Sequence, residues 1–332
     1  MAKTHEWLLI ETLDERTEPT VIAQGSRVRK MVPLHVIFDR NPKRLVQVSE
    51  AVRQVAATGT TVVEPAGDLV FVAEPAALHN GRVHGVWVRF GPPGEAAPPR
   101  NRTWGFVWNL TRGIANKSKG LLPDDSEETT WSIAEAYAVL ANRPDAVETM
   151  AKVINADPGT THQATWNQRR EEGPEHAVNF AVRILEERNA DGKMDRILRG
   201  ISNDLGPAKP DEPSTRRPIL LAELIAAAEA AEGEYRAVVD PRTLRLIDWY
   251  GDPMPELAWR YEPGDPELVH PDDRARALEM MTLLGKQSRI EMDVRLRLES
   301  GDYGVFHAVG KLMVLDNRTN AALVALTRPS DS

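Results

Sequence analysis

The stretch YRAVVDPRTLRLIDW at residues 235–249 decides how the last third of this chain is interpreted. It contains two apolar runs with the composition of strands, and the DPRT segment between them, at 240–243, is typical of a turn. Further on, HPDDRARALEMMTLL at 270–284 predicts a helix, and three more strand-like runs follow it. This order of two strands, a helix and three strands predicts a small α+β module for sensing or interaction rather than a catalytic scaffold.

The three final runs are RIEMDVRLRLES at 289–300, YGVFHAVGKLMVLD at 303–316 and AALVALT at 321–327. In the first of them apolar and charged residues alternate, so one face should cover a core and the other should meet water or a partner. The residues expected to face inward are Ile290, Met292, Val294, Leu296 and Leu298. Those expected to face outward are Arg289, Glu291, Asp293, Arg295 and Arg297.

The composition is that of a globular protein and excludes several kinds of site. A length of 332 residues predicts two or three domains, at ~100–200 residues each. The formal net charge of −8 argues against general nucleic-acid binding, and the absence of cysteine excludes disulfides and thiolate metal sites. The N-terminus lacks the pattern of a secretory signal, and PILLAELIAAAEAAEG at 218–233 is too short and too charged to span a membrane. A cytoplasmic location is therefore expected, with no membrane or nucleic-acid partner.

The first 115 residues predict strands, a helix and further strands, in an order similar to that of the C-terminal part. The predicted strands are WLLIETL (7–13), TVIAQGS (20–26), LHVIFD (34–39), DLVFVAEPA (68–76), RVHGVWVRFG (82–91) and TWGFVWNL (103–110). Asn41-Pro42 should begin the helix and Thr58-Gly59 should end it. Its candidate buried residues are Val46, Val48, Val52 and Val55.

The middle of the chain, residues 116–205, is predicted to be rich in helix. Helices are expected within 125–143, where Ser126 would be the cap, within 144–157 after Pro144, and within 173–192. Short strands are expected at ATWNQ (164–168) and RILRGIS (196–202). The Pro-rich segment 206–218 predicts a linker, and an amphipathic helix at Ile219–Ala231 should follow it.

The C-terminal segment resembles a PAS domain through YRAVVDPRTLRLIDW, the helix entry VHPDDRARALEMM at 269–281 and the three final strands. The whole chain is similar to an actinobacterial family of stand-alone triple-sensor proteins with the order PAS, GAF, PAS. The resemblance implies a PAS-like domain at 1–115, a GAF-like domain at 116–205, a linker at 206–218 and a PAS domain with a flanking helix at 219–332. Each domain would be an antiparallel sheet with flanking helices, and no kinase, cyclase or DNA-binding output is implied.

The candidate ligand pocket lies between the predicted strand face and the helices of the C-terminal domain. Its proposed lining residues are Trp249, Trp259, Met280, Met281, Met292 and His307. Methionine suits irregular ligands because its side chain is flexible and polarizable. His307 would be the one candidate axial ligand of a haem. The alternatives are a filled core without a cavity and a structural histidine, and the sequence indicates no cofactor.

Other polar groupings favour structural roles. His270-Pro271-Asp272-Asp273 could suggest an acid–base or metal site, but proline suits the first helical position and aspartates suit the first turn. His79 and His84 flank Asn80-Gly81, which predicts a hairpin turn rather than a zinc site. No metal or catalytic residues are therefore assigned.

The function expected from these features is that of a non-catalytic cytoplasmic sensor or adaptor. It would bind a small-molecule cue, a protein partner or both, and the helix at Ile219–Ala231 would carry the change or join two copies as a homodimer. The alternatives are a constitutive protein-interaction scaffold without a ligand and an unrecognised hydrolase.

Overall fold

The computed structural model describes residues 6–117, 129–142, 145–169, 173–209, 233–260 and 266–329. Contacts divide the chain into two compact units. The first unit comprises Met1–Thr111, Asn116–Thr129 and Ala156–Pro210, and the second comprises Arg112–Ala115, Thr130–Asn155 and Asp211–Ser332. The described residues form three antiparallel sheets with few helices.

The elements are numbered in chain order. The strands are β1 Leu8–Glu11, β2 Thr20–Gln24, β3 Arg27–Pro33, β4 Val62–Ala66, β5 Leu69–His79, β6 Arg82–Gly91, β7 Thr103–Asn109, β8 Ile114–Lys117, β9 Thr129–Ser132, β10 Leu140–Asn142, β11 Thr161–Gln168, β12 His176–Arg188, β13 Met194–Pro207, β14 Tyr235–Asp240, β15 Arg245–Tyr250, β16 Arg289–Arg297, β17 Tyr303–Val314 and β18 Asn320–Thr327. The helices are α1 Leu34–Ile37, α2 Pro42–Thr58, α3 Ile133–Ala138, α4 Ala146–Asn155 and α5 Pro271–Leu283. Among the described residues, no helix is both long enough and apolar enough to cross a membrane.

The first sheet has the order β3-β2-β1-β6-β5-β4, and α2 buries one of its faces. The predicted ends of α2 are confirmed, because Asn41 caps it by accepting a hydrogen bond from the Arg44 amide (3.1 Å) and Gly59 ends it at φ 68°. The prediction that Val46 is buried is wrong, since this side chain is 56% exposed.

The predicted strand at 34–39 is also wrong, because residues 34–37 form α1. In a strand Leu34 and Val36 would share one face, yet Leu34 is fully buried whereas Val36 is 53% exposed. Leu34 and Ile37, three positions apart, both pack into the core of the first sheet, as one side of a helical turn does.

The second sheet contains the strand order β11-β12-β13-β7 within the first unit. The helix predicted within 173–192 is wrong, because these residues supply β12, and the predicted helix-rich character of 116–205 is corrected with it. Neighbouring residues such as Ala181 and Val182 are both buried, which means that both faces of β12 are covered. In a strand covered on both faces, apolar and polar residues need not alternate. The spacing of the apolar residues in β12 therefore resembles that of a helix.

The other predictions for the middle region have mixed outcomes. The strands predicted at 164–168 and 196–202 lie in β11 and β13, and α4 falls within the helix predicted at 144–157. The helix predicted within 125–143 is replaced by β9, α3 and β10, and Ser132 rather than Ser126 caps α3. Ser126, Pro144, most of the linker and the whole helix predicted at 219–231 lie outside the described residues.

The third sheet, called the C-terminal sheet below, has the order β15-β14-β18-β17-β16. Its two strands, helix α5 and three strands confirm the order that the sequence predicts. The first sheet differs in having three strands before its helices α1 and α2, but it shares one pairing with the C-terminal sheet. In both sheets the first strand pairs antiparallel with the last: β1 with β6, and β14 with β18.

Candidate ligand cavity of the C-terminal domain

An apolar cavity of about 80 Å³ lies in the core of the C-terminal domain. Its walls come from all five strands of the C-terminal sheet and from α5. Small residues, among them Ala237, Ala277, Ala308 and Gly310, line it together with larger apolar side chains. The space arises where these small residues stand in a core that is otherwise built from Leu, Ile and Val.

The alternation of β16 positions one wall of this cavity. Ile290, Val294 and Leu296 are buried, while Met292 is half-buried. All four line the cavity, as the sequence predicts for the inward face of this strand. Gly310 lies opposite Ile290 in the register, and a Cβ atom there would come within 2.9 Å of Ile290 Cγ1. A side chain at position 310 would therefore force Ile290 to move at the cavity wall.

Trp249 lines this cavity and also has a buried indole N–H. Trp249 is 9% exposed, and its Nε1 is buried without a hydrogen-bond partner among the described residues. Its ring meets that of Trp259 edge-on, with 6.2 Å between the ring centroids. A buried indole N–H normally finds an acceptor, and leaving it unsatisfied costs about 1–3 kcal/mol.

The structure brings together part of the predicted pocket. Trp249, Met281 and Met292 line the cavity. Trp259 lines a neighbouring cleft instead, and Met280 packs against the core without being one of the residues that line the cavity.

His307 does not belong to this pocket, which corrects its assignment as a pocket residue and candidate haem ligand. Its neighbours Phe306 and Ala308 are buried in the core, so the alternation of β17 places His307 on the opposite face. There its Nδ1 lies 2.9 Å from Oδ1 of Asp293, its cross-strand partner. Among the described residues, no group of three His, Asp or Glu side chains could hold a metal ion.

The segment His270–Asp273 has the structural role that the sequence favours. Pro271 is the first residue of α5, and Nδ1 of the His270 cap accepts from the Asp272 amide at 3.2 Å. Asp273 accepts hydrogen bonds from the Arg295 amide and guanidinium, both at 2.8 Å. These bonds, with that guanidinium as the largest cause, lower the pKa of Asp273 to about 2. The pair fastens the start of α5 to β16 beside the cavity.

Beside the cavity lies a second space, the arginine cleft, with a volume of about 220 Å³. Its positively charged lining residues are Arg112, Arg245, Arg260, Arg274 and Arg297. Glu267 is the one acidic residue among the described residues that line it. Sequence reasoning missed this cleft because its arginines come from five separate segments, with no linear spacing to connect them.

The prediction that Arg297 faces outward is wrong, since this residue is 7% exposed. At the end of β16 the chain near Ala258 covers the strand, and Arg297 Nη2 donates to the Ala258 carbonyl at 3.2 Å. An isolated β-bridge between Leu257 and Leu298 fixes this covering segment. The alternation of β16 thus describes its middle but not its end.

The fold and the cavity define an α+β protein built from three sheets, with an apolar cavity in its C-terminal domain. Three domain models match the chain in order: Rv3651-like N-terminal at 6–99, Rv3651-like middle at 105–203 and Rv3651-like C-terminal at 219–332. The chain belongs to the Rv3651-like family.

Solved structures add one informative likeness. The chain is similar to the crystal structure of an uncharacterized protein from Mycobacterium tuberculosis, with a TM-score of 0.83 and 28% identity over 99% of this chain and 97% of that one. It also matches an RNA-binding light-oxygen-voltage receptor at a TM-score of 0.24 and 10% identity, over 68% of this chain and 95% of that one, which carries no argument. No protein with a curated description matches the chain. The likeness to the mycobacterial protein supports the three-sheet fold.

Proposed function

We propose that this chain is a non-catalytic, cytoplasmic sensor or adaptor whose C-terminal domain binds a small molecule in the apolar cavity. The N- and C-terminal domains would be PAS-like and the middle domain GAF-like. The pairing of the first strand with the last in both the first and the C-terminal sheets supports the PAS-like assignment. The observation that carries the proposal is the apolar cavity in the core of the C-terminal domain, walled by all five strands of the C-terminal sheet and by α5.

The chemistry of the cavity indicates what kind of molecule it would accept. Apolar walls favour hydrocarbon groups, because burying them removes their surface from water. A mostly apolar lining is the usual composition of a small-molecule site.

The volume limits the part of the ligand that the cavity can enclose. A cavity of about 150 Å³ accommodates benzene, whereas this one measures about 80 Å³. The enclosed part is therefore a chain of a few carbons or the edge of a ring. Met281 and Met292 in the wall can change rotamer and enlarge the space, because methionine has three rotatable bonds.

Filling the cavity from α5 should remove ligand binding. Ala277 is buried and lines the cavity, and in Ala277→Leu three added carbon atoms would occupy the space. Alanine and leucine have similar helix propensities, so α5 should persist. We expect at least ~10-fold lower ligand occupancy, equivalent to about 1.4 kcal/mol of binding free energy. Native mass spectrometry of the full chain purified from its own host, with a denatured sample to identify released molecules, measures this occupancy.

Ala275→Leu is the matched control, because Ala275 lies on the same helix but is exposed. It should retain the occupancy of the unaltered chain. A clean ligand-free mass for the unaltered chain would contradict the proposal and favour a constitutive scaffold. Equal occupancy in Ala277→Leu and Ala275→Leu would place the ligand outside this cavity.

A further inference from the structure

We infer that a ligand reaches the apolar cavity through the arginine cleft, and that Leu244 is the wall residue that moves aside to admit it. Leu244 then decides which molecules enter, because they must pass the displaced side chain. This inference rests on the proposed function, since it takes the cavity to be the place where the apolar part of the ligand is bound.

The cavity and the arginine cleft share a wall. Four residues line both spaces: Leu244, Leu246, Leu268 and Val269. Leu268 and Val269 are fastened to β16 by a backbone hydrogen bond of 2.8 Å and by a β-bridge, respectively. Leu246 is paired with β14 in the ladder of the C-terminal sheet. Leu244 is the shared residue that lies in a turn, between β14 and β15, and is therefore the part of the wall best able to move.

Leu244 is held in a conformation that leucine rarely adopts. Its φ is 62°, in the left-handed region, where the Cβ atom of an L-residue crowds the backbone. Leu244 is nonetheless only 7% exposed, so the strained backbone places its side chain in the wall. A change of the turn to negative φ would relieve the strain and carry this side chain away from its present position. Strained residues of this kind cluster at ligand clamps and switch regions.

Asp240 holds the turn in its closed form. Its carboxylate is buried at the end of β14, where Oδ1 accepts from the Arg242 amide and Oδ2 from the Thr243 hydroxyl, both at 3.0 Å. Its backbone carbonyl accepts from the Leu244 amide at 2.8 Å. Arg274 of α5 adds a bond from Nη2 to the Thr243 carbonyl at 3.3 Å. A strained turn with such fastenings can have a closed and an open state, as gating loops do.

The two spaces suit an entry path in this order. The cleft, of about 220 Å³, is larger than the cavity, of about 80 Å³. A molecule whose hydrocarbon part fits the cavity can therefore lie in the cleft while Leu244 still covers the way. The four shared side chains are all apolar, so the hydrocarbon part meets no charged side chain in the shared wall itself.

A competing route lies between α5 and β16. Met281 and Met292 are half-buried there, and they line the cavity but not the cleft. Neither has a positive φ. Among the described residues, positive φ occurs outside glycine at Leu244 and at three other positions, none of which lines the cavity. The strained turn therefore favours the cleft as the entrance, and Met292 provides the comparison.

The test follows the exchange of 1-butanol, a short apolar probe, with the cavity of the full chain. The chain is labelled with 5-fluorotryptophan, and Trp249→Phe identifies the Trp249 signal among those of the eight tryptophans. Trp249 lines the cavity, so bound 1-butanol should shift its fluorine resonance. Relaxation dispersion of this resonance reports exchange on the microsecond-to-millisecond timescale. Measurement at several 1-butanol concentrations separates the association rate from the dissociation rate.

Leu244→Gly should raise both rates at least ~10-fold, equivalent to a barrier lower by about 1.4 kcal/mol. Glycine adopts φ 62° without strain, so the turn should persist while the wall loses its side chain. Asp240→Ala should also raise both rates, because it removes the acceptors of the Arg242 amide and the Thr243 hydroxyl. Asp240→Asn retains one side-chain carbonyl oxygen and should raise them less.

Met292→Ala is the matched control, because it shortens a side chain of the cavity wall that does not line the cleft. Its association rate should remain that of the unaltered chain. Faster association in Met292→Ala than in Leu244→Gly would place the entrance between α5 and β16 and overturn the inference.

The outcomes distinguish this inference from the function on which it rests. Binding of 1-butanol at unchanged rates in Leu244→Gly and Asp240→Ala would overturn the entry path and leave the cavity proposal standing. An unshifted Trp249 resonance, both in the unaltered chain and in Leu244→Gly, would overturn the inference as well. In that case a co-purified molecule that is lost in Ala277→Leu would still support the cavity.

Discussion

Replacing Glu11 by alanine is expected to lower the free energy of unfolding of the first unit by about 3–5 kcal/mol. Glu11 is 1% exposed at the end of β1, and its carboxylate accepts from Arg183 Nη2 at 2.6 Å. It also accepts from the Thr20 hydroxyl at 2.8 Å and from the Thr20 amide at 3.1 Å. Glu11→Ala would leave these donors and a guanidinium with 12% exposure without their acceptor. Breaking a buried pair in this way is costly, because the remaining charge stays desolvated.

The matched control is the exposed pair of Glu15 with Arg82, whose side chains are 76% and 44% exposed. Glu15→Ala should cost no more than about 1 kcal/mol, as is usual for surface ion pairs. Since unfolding of a chain with two units need not be two-state, hydrogen exchange of the amides in β1, β2 and β12 is the appropriate measurement. An equal cost for Glu11→Ala and Glu15→Ala would contradict the expectation.

A double replacement tests the mechanism of this loss. Glu11→Leu with Arg183→Met removes both charges, and an apolar pair of similar volume should recover part of the stability that Glu11→Ala loses. Recovery would show that the cost comes from the stranded cation rather than from lost packing. A double variant less stable than Glu11→Ala would attribute the loss to packing or to the Thr20 donors.

The features that the sequence predicts correctly are determined by neighbouring residues in the chain. Asn41, Pro42 and Gly59 determine the ends of helix α2. The alternation of apolar and charged residues in β16 indicates a strand with one buried face. Strand β12 was mistaken for a helix because its burial is set by distant contacts, among them Ala181 against the first sheet. Local periodicity cannot reveal that a second layer covers the other face of a strand.

The candidate site shows the same contrast between positions set by local sequence and positions set by distant contacts. Trp249, Met281 and Met292 of the predicted pocket line the cavity, because strand alternation and the position of α5 constrain them. His307 was predicted to line the pocket but lies on the opposite face of the C-terminal sheet, because neighbouring residues of a strand point to opposite faces. The arginine cleft depends on Arg112, far along the chain from Arg245 and Arg297, and only the folded second unit brings them together.

Acidification is expected to destabilise the first unit through His84, by about 3 kcal/mol between pH 6.5 and pH 4. His84 is 1% exposed, and its Nδ1 donates to the Gly200 carbonyl at 2.8 Å. Burial, the largest cause, lowers the pKa of His84 to about 4. The bond to Gly200 opposes this shift, while the positive charges of Arg199 and Arg82 support it. Nearby His79, 2% exposed, meets the His84 ring edge-on at 5.8 Å.

The direction follows from proton binding in the two states. Between the ordinary pKa of histidine, about 6.5, and the lowered native value, the unfolded chain binds a proton that the native unit does not. The contribution of His84 to stability is therefore complete above pH 6.5 and is lost as the pH falls toward 4, by about 1.4 kcal/mol per pH unit.

His84→Gln can still donate a hydrogen bond to Gly200, and it should remove this dependence of the free energy of unfolding on pH. His35→Gln, at a residue with 60% side-chain exposure, should retain the dependence. Hydrogen exchange of β6 and β13 amides between pH 5 and 7, corrected for intrinsic rates, gives the slope, and a slope unchanged in His84→Gln would show that another group titrates.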